Sequence, residues 1–171
     1  MNQVYLLTGQ PGTGKTRIIK QAIAEVKGKA GGFYTEEIRS QGVRQGFRLV
    51  TLDGRNAILA HINLHSSYQV SKYGVDIDSL DGVGVSALNQ ASRDCDLVVV
   101  DEIGKMELFS AKFREAVLNI INSEKRLLGT IMLSPNPYAD AIKRQPQVNV
   151  VTVTRTNHQQ VLEELRQWLE G

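Results

Sequence analysis

The sequence predicts an α/β fold with a mainly parallel sheet and a β-meander inserted after the first helix. Short apolar runs alternate with helical-period segments at both ends of the chain. Leu97–Val100 and Val148–Val153 are continuous apolar or β-branched runs without polar alternation, as strands covered on both faces require. Between residues 31 and 63, three short β-type runs are separated by glycine turns.

Each element follows from local pattern. Val4–Thr8 reads as a buried strand, bounded by Gly9-Gln10-Pro11-Gly12. From Lys15 to about Lys27 the residues Ile18, Ile19, Ala22, Ile23 and Val26 recur at helical spacing, with Gly28 as the stop. The meander comprises Phe33–Ile38, Gly46–Leu52 and Ala57–Ile62, turned by Ser40-Gln41-Gly42 and Asp53-Gly54-Arg55-Asn56. No element is assigned between Asn63 and Leu97. Beyond the Leu97–Val100 strand, Phe109–Asn122 is helical with Ser110 as N-cap. Leu127–Leu133 is a strand, Tyr138–Arg144 a short helix, and Asn157 caps a last helix burying Val161, Leu162, Leu165, Trp168 and Leu169.

A chain of 171 residues predicts one domain spanning 1–171, with residues 31–63 as its β-hairpin insertion. Twenty basic against 18 acidic residues give a charge of +2, which makes no general case for nucleic acid or anionic membrane as partner. The single Cys95 allows no intrachain disulfide and has no ligand-spaced companion, so it reads as a buried helix-end thiol in a reducing compartment. No apolar run approaches the ~20 residues of a membrane span, and the N-terminus lacks a basic leader region. The expected location is the cytoplasm.

Gly9-Gln10-Pro11-Gly12-Thr13-Gly14-Lys15-Thr16 matches G-x-x-x-x-G-K-[ST] at every fixed position. A triphosphate must exchange its water for many donors aimed at one small volume. A curled run of backbone N–H groups and a helix N-terminus supply them. Lys15 then reaches the β- and γ-oxygens as a point charge, and the Thr16 hydroxyl is a natural Mg²⁺ ligand. The motif stands between a strand and an amphipathic helix, where this chemistry needs it. Nucleotide binding follows.

The second half of such a site is an acidic residue at the end of a buried strand, and Asp101 stands there. With Thr16 it forms the expected metal set, holding Mg²⁺ through water or through the hydroxyl. Glu102 beside it is the expected general base for the attacking water. An Asp-Glu pair favours the ATPase-type order, in which another strand separates the two motif strands. Together these predict a P-loop NTPase three-layer sandwich. The predicted catalytic residues are Glu102 and Lys15.

Asp101-Glu102-Ile103-Gly104-Lys105-Met106-Glu107-Leu108 is more particular than a generic acidic pair. With Gly32–Arg39, Gly42–Phe47, Lys72–Asp76 and Gly129-Thr130-Ile131, it resembles the nucleoside-triphosphatase family known from thermophile members and a cancer-related human member. The resemblance runs from Val4 to about Asn157. It implies a RecA-like core, Mg²⁺, and slow hydrolysis of ATP, GTP and other NTPs to NDP and phosphate. It also implies nucleotide contacts at Ile103 and Gly104. One departure is that the family's Asn-Arg after the last strand is here Asn157-His158, so a nucleotide contact by that Arg is either missing or replaced by Arg155.

A transition state spreading charge over the γ-oxygens calls for a cation beyond Lys15, and Arg39, Arg44 and Lys105 are the candidates. Glu107 and Glu36 stand behind Glu102 as alternative bases. His61 and His65 have no partners at metal spacing, and Trp168 is assigned to packing. Two other functions use the same loop: a small-molecule or nucleotide kinase, which usually needs an Arg-rich lid absent here, and a nucleotide-switched regulatory module.

Overall fold

The computed structural model describes residues 2–171. β1 (Val4–Thr8) is buried along its whole length, and α1 (Lys15–Ala24) carries the chain back across the sheet. β2 (Ala30–Ser40), β3 (Val43–Thr51), β4 (Asn56–His61), β5 (Gln69–Val70) and β6 (Tyr73–Val75) follow. α2 (Ile77–Ser79), a π-helical stretch (Leu80–Val85) and α3 (Ser86–Asp94) then run on without a break. β7 (Leu97–Ile103), α4 (Ala111–Ile121), β8 (Arg126–Ile131), α5 (Pro137–Lys143), β9 (Val148–Thr152) and α6 (His158–Glu170) complete the chain.

One nine-stranded sheet has the order β5-β6-β4-β3-β2-β7-β8-β1-β9. The period of two along each central strand sorts side chains to opposite faces. On one face Tyr5, Leu7 and Val99 meet Ile18, Ile19 and Ala22 of α1, with Leu162 and Leu165 of α6. On the other, Leu6, Val98 and Val100 meet Leu88 of α3, Phe113 and Val117 of α4, and Ile142 of α5. Phe113 is fully buried and faces Phe33 at 6.3 Å; truncating such a side chain to Ala costs ~3–5 kcal/mol. Helices thus cover both faces of the parallel half.

The sheet is mixed, which corrects the expectation of a mainly parallel one. Four of its eight pairings are parallel (β1 with β8 and β9, β7 with β2 and β8), and four are antiparallel. The reason lies in the connections. Gln41 and Gly42, with φ of 50° and 78°, close a two-residue hairpin that pairs Ser40 with Val43. The antiparallel part then continues beyond β4, past residue 63, to β6 and β5. Nor does the meander begin as a separate insertion. Ala30–Phe33 of β2 pair parallel with Leu97–Val100, while the rest of the same strand pairs with β3.

α1 ends at Ala24 rather than near Lys27, because the chain must turn for Ala30 to meet Leu97; the Asp96 carboxylate accepts the Lys29 N–H at 2.8 Å there. β5 and β6 are two and three residues long, too short to establish a period. The Leu80–Val85 stretch carries Gly82 and Gly84, which blurs the helical spacing ahead of α3. Ser110 caps α4 as expected, accepting the Phe113 N–H at 3.0 Å. Asn157 stands at the cap position of α6, but its side chain serves the preceding loop instead. Cys95 is buried at the end of α3, and Trp168 packs on Tyr5 at 5.4 Å. No helix among the described residues is long and apolar enough to cross a membrane.

Candidate active site

Gly9–Thr16 leaves β1 and enters α1 as one tight curve. Gly9, Gly12 and Gly14 all have positive φ, at 146°, 80° and 88°, and Gly14 is the N-cap of α1. A Cβ at Gly9 would stand 2.5 Å from the Val153 carbonyl oxygen, so both conformation and space demand glycine there. Thr13 Oγ1 ties the curve internally by donating to the Gln10 carbonyl at 2.9 Å. Lys15 Nζ donates to the carbonyls of Gly9 at 2.8 Å and Gln10 at 3.0 Å, which holds the ammonium over the loop. With three donors on the ammonium, one stays available.

β8 lies between β1 and β7, so the loop after β1 and the end of β7 flank a shared strand. This brings Asp101 to the start of α1, where Thr16 Oγ1 donates to Asp101 Oδ2 at 2.7 Å. Thr130 on β8 donates to the other oxygen, Oδ1, at 2.5 Å. Asp101 is only 3% exposed, and burial raises its pKa against the opposing pull of the two hydroxyls and Lys15. Burial also raises Glu102, and the neighbouring Asp101 charge adds to the effect. Glu107 is held well above the usual carboxylate range, first by burial and then by the Glu102 charge. Three carboxylates share one poorly solvated corner.

A cavity of about 490 Å³ opens between these parts. Pro11, Gly12, Gly14, Lys15 and Thr16 form one wall, and Asp101, Glu102, Lys105, Met106 and Glu107 another. The antiparallel strands close the third side with Thr35, Glu36, Phe47 and Leu59. Hence Pro11, Gly12, Gly14, Lys15, Thr16, Asp101, Glu102 and Lys105 line one space, together with the alternative bases Glu36 and Glu107. Gly9, Gln10 and Thr13 shape the loop without lining the cavity. Ile103 is buried in the core, and Gly104 accepts the Leu108 N–H with its carbonyl at 2.9 Å, starting the turn that carries Glu107.

The family model described as NTPase matches residues 4–166. The chain belongs to this NTPase family. A nucleoside-triphosphatase THEP1 from Thermotoga sp. (strain RQ2) is 45% identical over 160 residues, covering 94% of this chain and 91% of the relative. The crystal structure of THEP1 from the hyperthermophile Aquifex aeolicus superposes with a TM-score of 0.90 at 32% identity, covering 98% of this chain and 99% of that one. The solution structure of a human cancer-related nucleoside triphosphatase gives a TM-score of 0.81 at 34% identity, with coverage of 99% and 98%.

Two of the candidate transition-state cations stand away from the cavity. Arg39 pairs with Glu37 at 2.6 Å and donates to the Gly42 carbonyl at 2.8 Å. Arg44 donates to Glu37 at 3.2 Å and to the Tyr73 hydroxyl at 2.9 Å. Both are committed to the antiparallel strands, outside the cavity wall. Lys105 does line it, and so does Arg17, which sequence reading passed over although it follows Lys15-Thr16 directly on the first turn of α1. Thr130 was also passed over as a site residue. Its signal was its place at the end of the strand that must lie between the two motif strands. His61 has a local partner, its Nδ1 accepting the Asn63 N–H at 3.1 Å.

Proposed function

We propose that this chain is a P-loop nucleoside triphosphatase of ATPase-type strand order, hydrolysing NTP to NDP and phosphate slowly and with broad base tolerance. The observation that carries this reading is the 2.7 Å hydrogen bond from Thr16 to Asp101, which joins the phosphate loop to the acidic strand end. The loop amides of Gly9–Thr16 receive the phosphates, and Lys15 turns its available donor to the β- and γ-oxygens. Glu102, poorly hydrated and beside another carboxylate, takes a proton from water as that water's oxygen bonds to the γ-phosphorus. The bond from the γ-phosphorus to the β–γ bridging oxygen breaks, and the electron pair leaves with the diphosphate.

Thr16 Oγ1 and Asp101 Oδ2 are hard oxygen donors that already meet at the cavity wall, and a small divalent cation satisfies both while relieving the cost of a buried carboxylate. These are the residues that would hold Mg²⁺, which when bound supplies neutralisation of the phosphate oxygens. Lys105 and Arg17 are the cations best placed to meet further charge on the γ-phosphate. The substrates are ATP, GTP and other NTPs, handled by a single 171-residue domain in the cytoplasm without nucleic acid or membrane as partner.

The testing experiment replaces Lys15 by Ala. Its ammonium hydrogen-bonds to loop carbonyls and holds no core contact together, so the fold is expected to persist while affinity for a nonhydrolysable ATP analogue is lost. Equal affinity in variant and parent overturns the reading.

A further inference from the structure

The phosphate loop is braced from behind. His158, the first residue of α6, lies against the loop: its Nε2 contacts the Thr13 carbonyl, and a Cβ at Gly14 would collide with its ring. A carbonyl oxygen only accepts, so Nε2 carries the hydrogen and donates it. Gly14 lines the cavity whereas neither Thr13 nor His158 does, so the imidazole meets the loop away from the cavity wall. The brace stands on a fixed base. The Val153 N–H donates to the Thr8 carbonyl at 2.8 Å, and Asn157 Nδ2 donates to the Thr152 carbonyl at 2.9 Å. Its Oδ1 accepts the Thr154 N–H at 2.8 Å. α6 is seated on α1 through Leu162 and Leu165 against Ile18 and Ile19.

We propose that His158 is a positioning residue for nucleotide binding, orienting the Thr13–Gly14 peptide so that the Gly14 N–H points at the phosphates. The Thr13–Gly14 peptide is trans, and in a planar trans peptide the C=O and N–H point in opposite directions. Pinning the Thr13 carbonyl outward therefore turns the next N–H inward. Gly14 at φ 88° has no side chain to hold that plane, so the hydrogen bond from outside does it. The base makes no part of this role. His158 acts on phosphate through the loop, and by preorganising it.

The proposal rests on the phosphate-loop reading, and its test separates the two. Dissociation constants for a nonhydrolysable ATP analogue and for inorganic tripolyphosphate, each with Mg²⁺, are measured on the parent and on His158→Ala, His158→Gln and His158→Asn, with melting temperatures alongside. Losing one hydrogen bond predicts weakening by about twofold to tenfold, by the same factor for both ligands. Gln places an amide N–H where Nε2 stands and restores binding; Asn reaches only to the Nδ1 position and does not. In turnover, KM rises with kcat unchanged, because the amide serves ground and transition states alike. A His158→Ala variant that binds both ligands as the parent does overturns the proposal, as does an Asn variant equal to Gln. Loss confined to the ATP analogue makes His158 a base contact instead and also overturns it. If the parent itself binds neither ligand, the phosphate-loop reading falls with it.

Discussion

Thr130 Oγ1 donates a 2.5 Å hydrogen bond to Asp101 Oδ1, deep in the sheet where both residues are shielded from water. Asp101 therefore keeps one oxygen locked to β8 and presents the other to Thr16. Thr130→Val keeps the shape and removes the donor. The apparent affinity for Mg²⁺ is expected to fall about 10- to 100-fold, as for other partners that orient a ligand. A Mg²⁺ titration of NTP turnover checks this. An unchanged midpoint contradicts the role.

Glu107 gives the fold a pH dependence of determinate sign. Its pKa is raised well above the ordinary 4.5 by burial and by the Glu102 charge, so between those two values the folded chain holds a proton that the unfolded chain has lost. Its contribution to stability is complete below pH 4.5 and is lost as pH rises through the folded value. Glu107→Gln removes that loss. The variant should melt above the parent at neutral pH, with the gap closing as pH falls towards 4.5. Melting curves across that range, without added metal, test it. A gap that widens on acidification contradicts the assignment.

The cavity is walled by Gly12, Gly14, Lys15 and Thr16 of the loop and by Asp101 and Glu102, and it carries no Asn-Lys-x-Asp segment of the guanine-reading type. Competition among ATP, GTP, CTP and UTP should give affinities within about a hundredfold of one another, or ~2.7 kcal/mol. A larger preference would mean that a base reader exists outside this cavity.

The parts of the site that were legible in the sequence are those whose chemistry is local. The glycines of the loop, Lys15 and Thr16 are contiguous, and Asp101-Glu102 ends an unmistakable apolar run. The parts that were not legible depend on distant pairing. Thr130 meets Asp101 because β8 lies beside β7, and Arg44 stands off the cavity wall where Tyr73, 29 residues away, engages its guanidinium. The fold divides the same way. Buried strands and the Ser110 cap could be read from pattern, whereas the double pairing of β2 came from an 11-residue strand serving two neighbours. The helix over 77–94 was hidden by its glycine-bearing middle.

In the proposed mechanism, hydrolysis hangs on Glu102. Glu102→Gln preserves size and an acceptor while removing the base, and leaves Lys15, Thr16 and Asp101 in place. Binding of Mg²⁺–ATP should persist, and the chemical step should slow by roughly 10² to 10⁴. The decisive measurement is single-turnover ATP hydrolysis by this variant beside its equilibrium affinity for the same nucleotide. Retained affinity with that loss of rate is the predicted result; a variant that cleaves ATP at the parental rate contradicts the account.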